Sequence, residues 1–356
     1  MFGSVKKFGW SVKGAFVKYA LGVVLSKEKR WCTKIAEIFG VSHDSIYRYL
    51  HTHADIAAQF PELMIRLAEH FDAIKPGWIV IDDTALTKLH AKYMEGVHWV
   101  YNSSLGRPEM GLCIVVAIWT DGEIVIPIGF RWWFSKKIVP NGYLKKIELA
   151  MQLLEELAHK TGFRRLLADA AYFSIEMALF LVSLNFKFIM RISRSRRATM
   201  GDGTCASLKE HPALKLTRNH RARMARVALG QGVIVNIVVY KRKNKRSNTY
   251  EKIFLVTNIT ADIREIIATY KVRWQIESTF RTMKQSLGLM QCSARSIEKQ
   301  GLHVSAVFIA FAFLEVEKRK RNLARPQDTI RELFKLKIEN VTSLFTRFCQ
   351  DFAYVA

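Results

Sequence analysis

Ile79-Val80-Ile81-Asp82-Asp83-Thr84 is a β-branched run that ends in two carboxylates. Such residues favour strands, and a strand interior does not accept an unpaired charge, so the acids mark a strand's end. The arrangement recurs at Leu166-Leu167-Ala168-Asp169-Ala170-Ala171-Tyr172, where a second apolar strand stops at one carboxylate. Outward from these two, strand patterns cover Trp78 to Asp82, Leu112 to Thr120 and Ile124 to Trp133, the last two forming a hairpin across Asp121-Gly122. An amphipathic helix follows over Tyr143 to Lys160, then a strand at Arg165 to Ala168, a helix at Ser174 to Leu184 and a strand at Phe186 to Ile192. The order β-β-β-α-β-α-β predicts an α/β fold. A crossover helix then sets the carboxyl ends of the two acid-bearing strands on one edge, where open α/β sheets keep their sites.

The chain has 356 residues, enough for two or three domains, and its 50% hydrophobic and 24% charged residues exclude a disordered or fibrous protein. A net charge of +24 makes a polyanion, nucleic acid above all, the expected partner. Five scattered cysteines suggest neither a zinc ribbon nor a disulfide framework, so the expected compartment is reducing. The amino terminus lacks a signal-peptide pattern, and the apolar run Val304 to Leu314 is too short to span a bilayer and reads as a buried core helix. A cytoplasmic, membrane-free protein is expected.

Near the amino terminus, helical periodicity over Thr33 to Phe39 leads into Gly40-Val41-Ser42, after which a second amphipathic helix begins with Ser42 as N-cap. This is the pattern of a helix-turn-helix, whose second helix would offer His43, Asp44, Ser45, Tyr47 and Arg48 to the major groove. An ordinary helical hairpin with Gly at its corner is the alternative. Between Asn185 and Thr260 there are 17 Lys or Arg against three acids. The β-rich runs of that segment flank Lys241-Arg242-Lys243-Asn244-Lys245-Arg246, a hairpin tip that can lie along phosphates or stand as a solvated loop.

A long helix is expected from Ile263 to about Ser286. At 100° per residue, Tyr270, Arg273, Glu277 and Lys284 fall within roughly 60° of one another on its face. A third acid thus joins the two strand-end acids in a strongly basic chain.

The pattern Tyr-x2-Arg-x3-Glu-x6-Lys, read at Tyr270, Arg273, Glu277 and Lys284, resembles the YREK signature of DDE transposases of bacterial insertion sequences, specifically the IS-four-type group that includes hairpin-forming enzymes. Asp82-Asp83-Thr84 is similar to that group's first Asp motif. Asp169-Ala170-Ala171-Tyr172 is similar to its second, where the family more often has Gly before the aromatic residue. The resemblance spans nearly the whole chain and implies an RNase H-like core (β-β-β-α-β-α-β-α) interrupted by a β-rich insertion. It places a helical domain with the helix-turn-helix at 1–72, the core at 73–192 and 261–298, the basic insertion at 193–260 and a helical region at 299–356.

It further implies that Asp82, Asp169 and Glu277 hold two Mg²⁺ ions, with Mn²⁺ a substitute and Asp83 the rival of Asp82. Tyr270, Arg273 and Lys284 would contact phosphates near the cut, joined by Lys241, Arg242, Lys243, Lys245 and Arg246 of the insertion. The implied partners are element ends and target DNA, bound by a homodimer in the nucleoid of a prokaryotic cytoplasm. In hairpin-forming relatives an aromatic residue of the insertion stacks on a flipped base, whereas Asn185 to Arg273 contains no Trp here.

Overall fold

β1 (Trp78–Thr87) is the axis of the molecule in the computed structural model, which describes residues 14–26, 32–52, 54–89, 91, 93–102, 105–199, 203–218, 221–243 and 248–353. Among the described residues four helices precede it: α1 (Gly14–Leu25), α2 (Cys32–Phe39), α3 (His43–Thr52) and α4 (Ala54–Ile74). After it come β2 (His98–Asn102), β3 (Arg107–Thr120), β4 (Val125–Trp133), α5 (Lys146–Lys160), β5 (Arg165–Ala168), α6 (Ile175–Ser183) and β6 (Lys187–Arg191). The basic segment folds as β7 (Arg197–Thr199), β8 (Cys205–Ser207), β9 (Ala222–Ala228), β10 (Ile234–Lys243) and β11 (Tyr250–Thr257). The chain closes with α7 (Ile263–Lys271), α8 (Trp274–Ser286), α9 (Ile297–Lys320), α10 (Pro326–Leu333) and α11 (Ile338–Ala353).

Among the described residues all the strands join one mixed eleven-stranded sheet in the order β2-β3-β1-β5-β6-β11-β10-β9-β7-β8, with β4 on β3. β1 runs antiparallel to β3 and parallel to β5, and β5 runs parallel to β6. The expected β-β-β-α-β-α-β order is therefore β1, β3, β4, α5, β5, α6 and β6. The sheet differs from the expectation in its margins. β1 continues five residues past Asp82, and β2 follows as an extra strand. Gly111 of β3 pairs with Thr87 of β1 and with His98 of β2, so those two strands flank β3. The basic segment forms no separate lobe: β11 pairs with β6, and β10 and β9 follow, so the insertion prolongs the sheet.

Successive side chains of a strand point to opposite faces, and helices cover both. α5 lies on the face of Trp133, over whose ring Lys146 Nζ stands at 4.9 Å. α9 lies on the face of Phe130, whose ring meets Phe308 at 5.7 Å. α9 is longer than the apolar run that marked it. Its 24 residues are long and apolar enough to cross a membrane, yet Gln300 to Glu317 are buried throughout, packed against α1, α4, β4 and α10. It is the central helix of the core.

The expected helix from Ile263 to Ser286 is broken. Between α7 and α8 the Val272 and Arg273 amides donate to the Thr269 and Tyr270 carbonyls three residues back, at 3.0 and 3.1 Å. These tight turns re-aim the chain in the middle of the signature, a local hydrogen-bond choice that side-chain periodicity does not report.

Candidate active site

Ile79-Val80-Ile81 of β1 and Leu166-Leu167-Ala168 of β5 are buried, which fixes both strands inside the sheet. Their parallel register pairs Ile81 with Ala168. Asp82 and Asp169 follow at the same level, one strand spacing of about 4.8 Å apart. Asp169 caps a single 3-10 turn at Ala170–Tyr172, its Oδ1 accepting from the Ala170 amide at 2.7 Å. Burial, followed by the neighbouring charge of Asp83, pushes the Asp82 carboxyl up to about 7, and Asp169 adds to the rise. The Asp83 amide, which donates to Asp82 Oδ1 at 2.9 Å, and the Arg273 guanidinium oppose it.

Asp83 projects from the opposite face of β1 and is already engaged. Lys146 Nζ donates to its Oδ2 at 2.5 Å, the Tyr172 hydroxyl donates to Oδ1 at 3.1 Å, and the Cys113 thiol lies 3.7 Å from Oδ2. Lys284 of α8 has Cys113 and Asp83 as its electrostatic neighbours, and burial holds its ammonium below the ordinary lysine value. The two adjacent acids therefore have separate surroundings, Asp83 among lysines and Asp82 beside Asp169.

The break between α7 and α8 turns Arg273 toward the acids. Its Nη2 donates to Glu277 Oε1 at 2.7 Å, and its Nη1 stands 3.4 Å from Asp82 Oδ2. The guanidinium is 7% exposed and lies 5.9 Å from the Tyr270 ring. Burial pushes the Tyr270 hydroxyl up to about 12. The start of α8 is tied to the β3–β4 turn by Gln275, which accepts from the Thr120 hydroxyl and donates to the Gly122 carbonyl at 2.5 Å. Asp82, Asp169, Arg273 and Glu277 are thus brought together, with Tyr270 beneath them and Lys284 on the Asp83 side. Tyr270, Arg273 and Lys284 were expected on phosphates, whereas in this structure they are turned inward, Arg273 and Lys284 toward the site's acids. Sequence reading missed Lys146, Tyr172 and Gln275. Their partners lie 63 to 155 residues away, so no local pattern announces these contacts, although Tyr172 stands in the second Asp motif.

The remaining candidates lie on other elements. Gly40 takes φ +60° at the end of α2, the left-handed conformation that glycine adopts without strain. Ser42 Oγ then accepts from the Asp44 amide at 3.3 Å, as an N-cap of α3 does. His43 and Asp44 are exposed, and Ser45 donates back to the Ser42 carbonyl at 2.6 Å. Tyr47 is exposed, with Lys299 of α9 at 5.9 Å over its ring. The Arg48 side chain lies outside the described residues, as do Lys245 and Arg246. Lys241 and Lys243 on β10 are exposed. Arg242 between them is held by Glu251 of β11 and lies 6.0 Å from the ring of Trp274, a half-exposed residue at the start of α8.

The transposase DDE domain family matches residues 136–313, and a family described as DDE superfamily endonuclease matches residues 14–213. Each match covers at least half of the sequence, and together they include all three acids. The chain belongs to the DDE transposase family. No curated protein matches it. Among solved structures it is similar to the piggyBac transposase in its synaptic complex with hairpin DNA, at 12% identity, over 96% of this chain and 72% of that one, with a TM-score of 0.49.

DDE transposases typically work with divalent metal ions. Among the described residues no three Asp, Glu, His or Cys side chains converge closely enough to hold one ion, and Arg273 stands between Asp82 and Glu277. The donor chemistry fits nonetheless. Asp82, Asp169 and Glu277 offer the hard oxygens that Mg²⁺ and Mn²⁺ take. An Asp82 carboxyl pushed up to about 7 is one with too little positive charge around it.

Proposed function

We propose that this DDE transposase is of the IS-four-type group from a bacterial insertion sequence, and that it binds the element's terminal inverted repeats, cleaves there and joins the ends to target DNA. The observation that carries the reading is the placement of Asp82 and Asp169 at one level on adjacent parallel strands, with Glu277 held to Asp82 through Arg273. Asp82, Asp169 and Glu277 would hold the metal ions; Asp83, committed to Lys146 and Tyr172, would not. When bound, a pair of ions stabilises both the attacking and the leaving oxygen of an in-line displacement.

The chain's own residues prepare the site for an anion. Four carboxylates (Asp82, Asp83, Asp169, Glu277) meet three cations (Arg273, Lys146, Lys284), so the bare site is net negative and repels a phosphodiester until cations enter. Arg273 keeps the Glu277 carboxylate at the acid edge and reaches Asp82, and its planar fork suits phosphate once those acids have other partners. Lys146 neutralises Asp83, leaving Asp82 as the acid that faces the substrate. The basic β10–β11 strands and the α2–α3 pair supply the DNA contacts of this reading, in a homodimer acting within a prokaryotic cytoplasm.

One matching family is described as endonuclease, which favours a second reading of cleavage without joining. Labelled element ends, incubated with Mg²⁺ and a target plasmid, separate the two. Nicking with joined products supports transposition, and nicking alone supports the nuclease. Asp82→Ala, Asp169→Ala and Glu277→Ala should each abolish nicking while end binding persists, since ligation and phosphate grip are separate contacts. Full nicking by Glu277→Ala refutes the assignment.

A further inference from the structure

β2 is an outer strand of the sheet, and its burial alternates. His98 and Val100 are buried, whereas Trp99 is 68% and Tyr101 65% exposed. Exposed large aromatic residues clustered on one surface mark an interaction site more often than chance. Leu105, in the turn after β2, is also exposed.

The register fixes which face these rings occupy. Along β1, Asp82, Thr84 and Leu86 share a face. Leu86 pairs with Leu112 of β3, and Met110 and Pro108 lie on that same face of β3. Met110 pairs with Trp99, and Pro108 pairs with Tyr101. Trp99 and Tyr101 therefore stand on the face of the sheet that carries Asp82, the face of α9. Asp83, Cys113 and Val100 occupy the other. Counting six residues along the strands and two strand spacings across them, the backbone at Trp99 is about 22 Å from that at Asp82. The two rings are themselves about 7 Å apart, two residues along one strand.

We propose that Trp99 and Tyr101 form a stacking platform for unpaired bases of the DNA strand that runs from the carboxylate site across this face. The inference rests on the proposed DNA-cleaving function, because it is the substrate at Asp82 that brings a strand over β2. A polyanionic partner suits a chain of net charge +24. Aromatic faces receive bases without regard to sequence, which suits DNA flanking a cut and not the recognised end itself. Arg107 and its register partner Asn102 fall on the opposite face, where Arg107 Nη2 lies 3.2 Å from Glu109, so the platform is formed by the two rings alone.

The test compares the full chain with a Trp99→Ala/Tyr101→Ala variant and a Trp99→Phe/Tyr101→Phe variant, in EDTA so that no cleavage intervenes. The probes are a blunt duplex and the same duplex carrying a short unpaired flap on either strand. The Ala pair should lose roughly tenfold or more in affinity for a flapped duplex and nothing on the blunt one, and the Phe pair should restore it. Equal losses on blunt and flapped DNA, or no loss on either, overturn the proposal. So does an altered oligomeric state of the Ala pair in sedimentation with flap binding intact, which assigns the rings to a second copy of the chain. Nicking of a blunt element end by the wild-type chain, run alongside with Mg²⁺, shows whether a negative result removes the platform alone or the cleaving function with it.

Discussion

Replacing Asp82 by Asn should make the free protein more stable, and chiefly at neutral pH. In the folded chain the carboxyl is pushed up to about 7 from an ordinary 3.8. A carboxyl with a raised folded value binds more protons folded than unfolded between those two pH values, so its contribution to stability falls as pH rises through the window and is most unfavourable above about 7. Each unit is worth about 1.36 kcal/mol, which puts the full penalty at about 4 kcal/mol. The side chain keeps a quarter of its surface in water, so the expected gain for the variant at neutral pH is about 2–4 kcal/mol. The Arg273 attraction is already included in the raised value and does not have to be subtracted again. Asn retains an oxygen for the Asp83 amide and puts an uncharged amide nitrogen where Oδ2 stood 3.4 Å from Arg273.

The assay is urea unfolding of wild type and Asp82→Asn in EDTA, at several values from about pH 5 to about pH 8. The stability difference should widen by about 1.4 kcal/mol per pH unit and level off above about pH 7. Excess Mg²⁺ should narrow it, because only the wild-type site gains from binding the ion. A variant less stable than wild type at about pH 8, or a difference that does not change with pH, refutes the claim that burial and the Asp83 charge hold this acid at a cost.

Three further outcomes follow from particular contacts. Asp83→Ala leaves Lys146 and Tyr172 without their acceptor and should cost about 1–3 kcal/mol in urea unfolding, with nicking retained; loss of nicking in a folded variant would return Asp83 to the ligand set. Lys88 donates to the Met290 and Cys292 carbonyls at 2.9 and 2.6 Å, and burial lowers its ammonium to about 8. The folded state sheds that proton first, so the stability of wild type relative to Lys88→Met should rise by about 1.4 kcal/mol per pH unit between about 8 and 10.5, and a flat difference would contradict the burial argument. Exchanging Lys241, Arg242, Lys243, Lys245 and Arg246 for Ser should flatten the dependence of log affinity on log salt by about 0.9 for each phosphate lost, and by less than the full five because Glu251 already holds Arg242. An unchanged slope means that the hairpin tip touches no phosphate.

The parts of the fold that were legible in the sequence are those whose signal is local. β5 was readable to the residue because Arg165 to Ala168 is a short apolar run closed by a capping Asp169. α2 and α3 were readable because Gly40 and Ser42 punctuate them. β2 was not, since His98-Trp99-Val100-Tyr101-Asn102 alternates buried and exposed positions in which the exposed ones are aromatic, so hydropathy shows no period of two. β7, β8 and β9 were missed because they are short or rich in arginine; β7 and β8 pair with each other and join the sheet only where Thr199 meets Ala228 of β9, a contact between residues far apart in sequence. The helix break at Val272-Arg273 falls inside a sequence of good helical periodicity, so only the backbone hydrogen bonds reveal it.

The site shows the same division between local and distant signals, and strand geometry explains how two adjacent acids come to differ. Side chains alternate across β1, so Asp82 and Asp83 cannot serve one ligand set without breaking the strand. What lies on each face then decides their chemistry. Asp83 meets Lys146 at 2.5 Å, and an acid so matched has little to gain from a metal ion. Asp82 meets Asp169 and only the longer 3.4 Å contact to Arg273, and stays short of positive charge. The sequence left Asp82 and Asp83 as rivals because both carboxylates end the same apolar run. Lys146 and Arg273, 63 and 191 residues away, separate their roles, and each reaches its acid through the packing of a helix on the sheet. An exchange of Lys146 for Met should therefore act on Asp83 first. Without its cation, Asp83 becomes a second acid short of positive charge, so in the Lys146→Met background Asp82→Asn should stabilise the protein more at neutral pH than at acid pH, because removing one of two unpaired carboxylates relieves repulsion only where both are ionised; a gain in urea unfolding no larger than in the wild-type background would refute the assignment of Lys146 to Asp83.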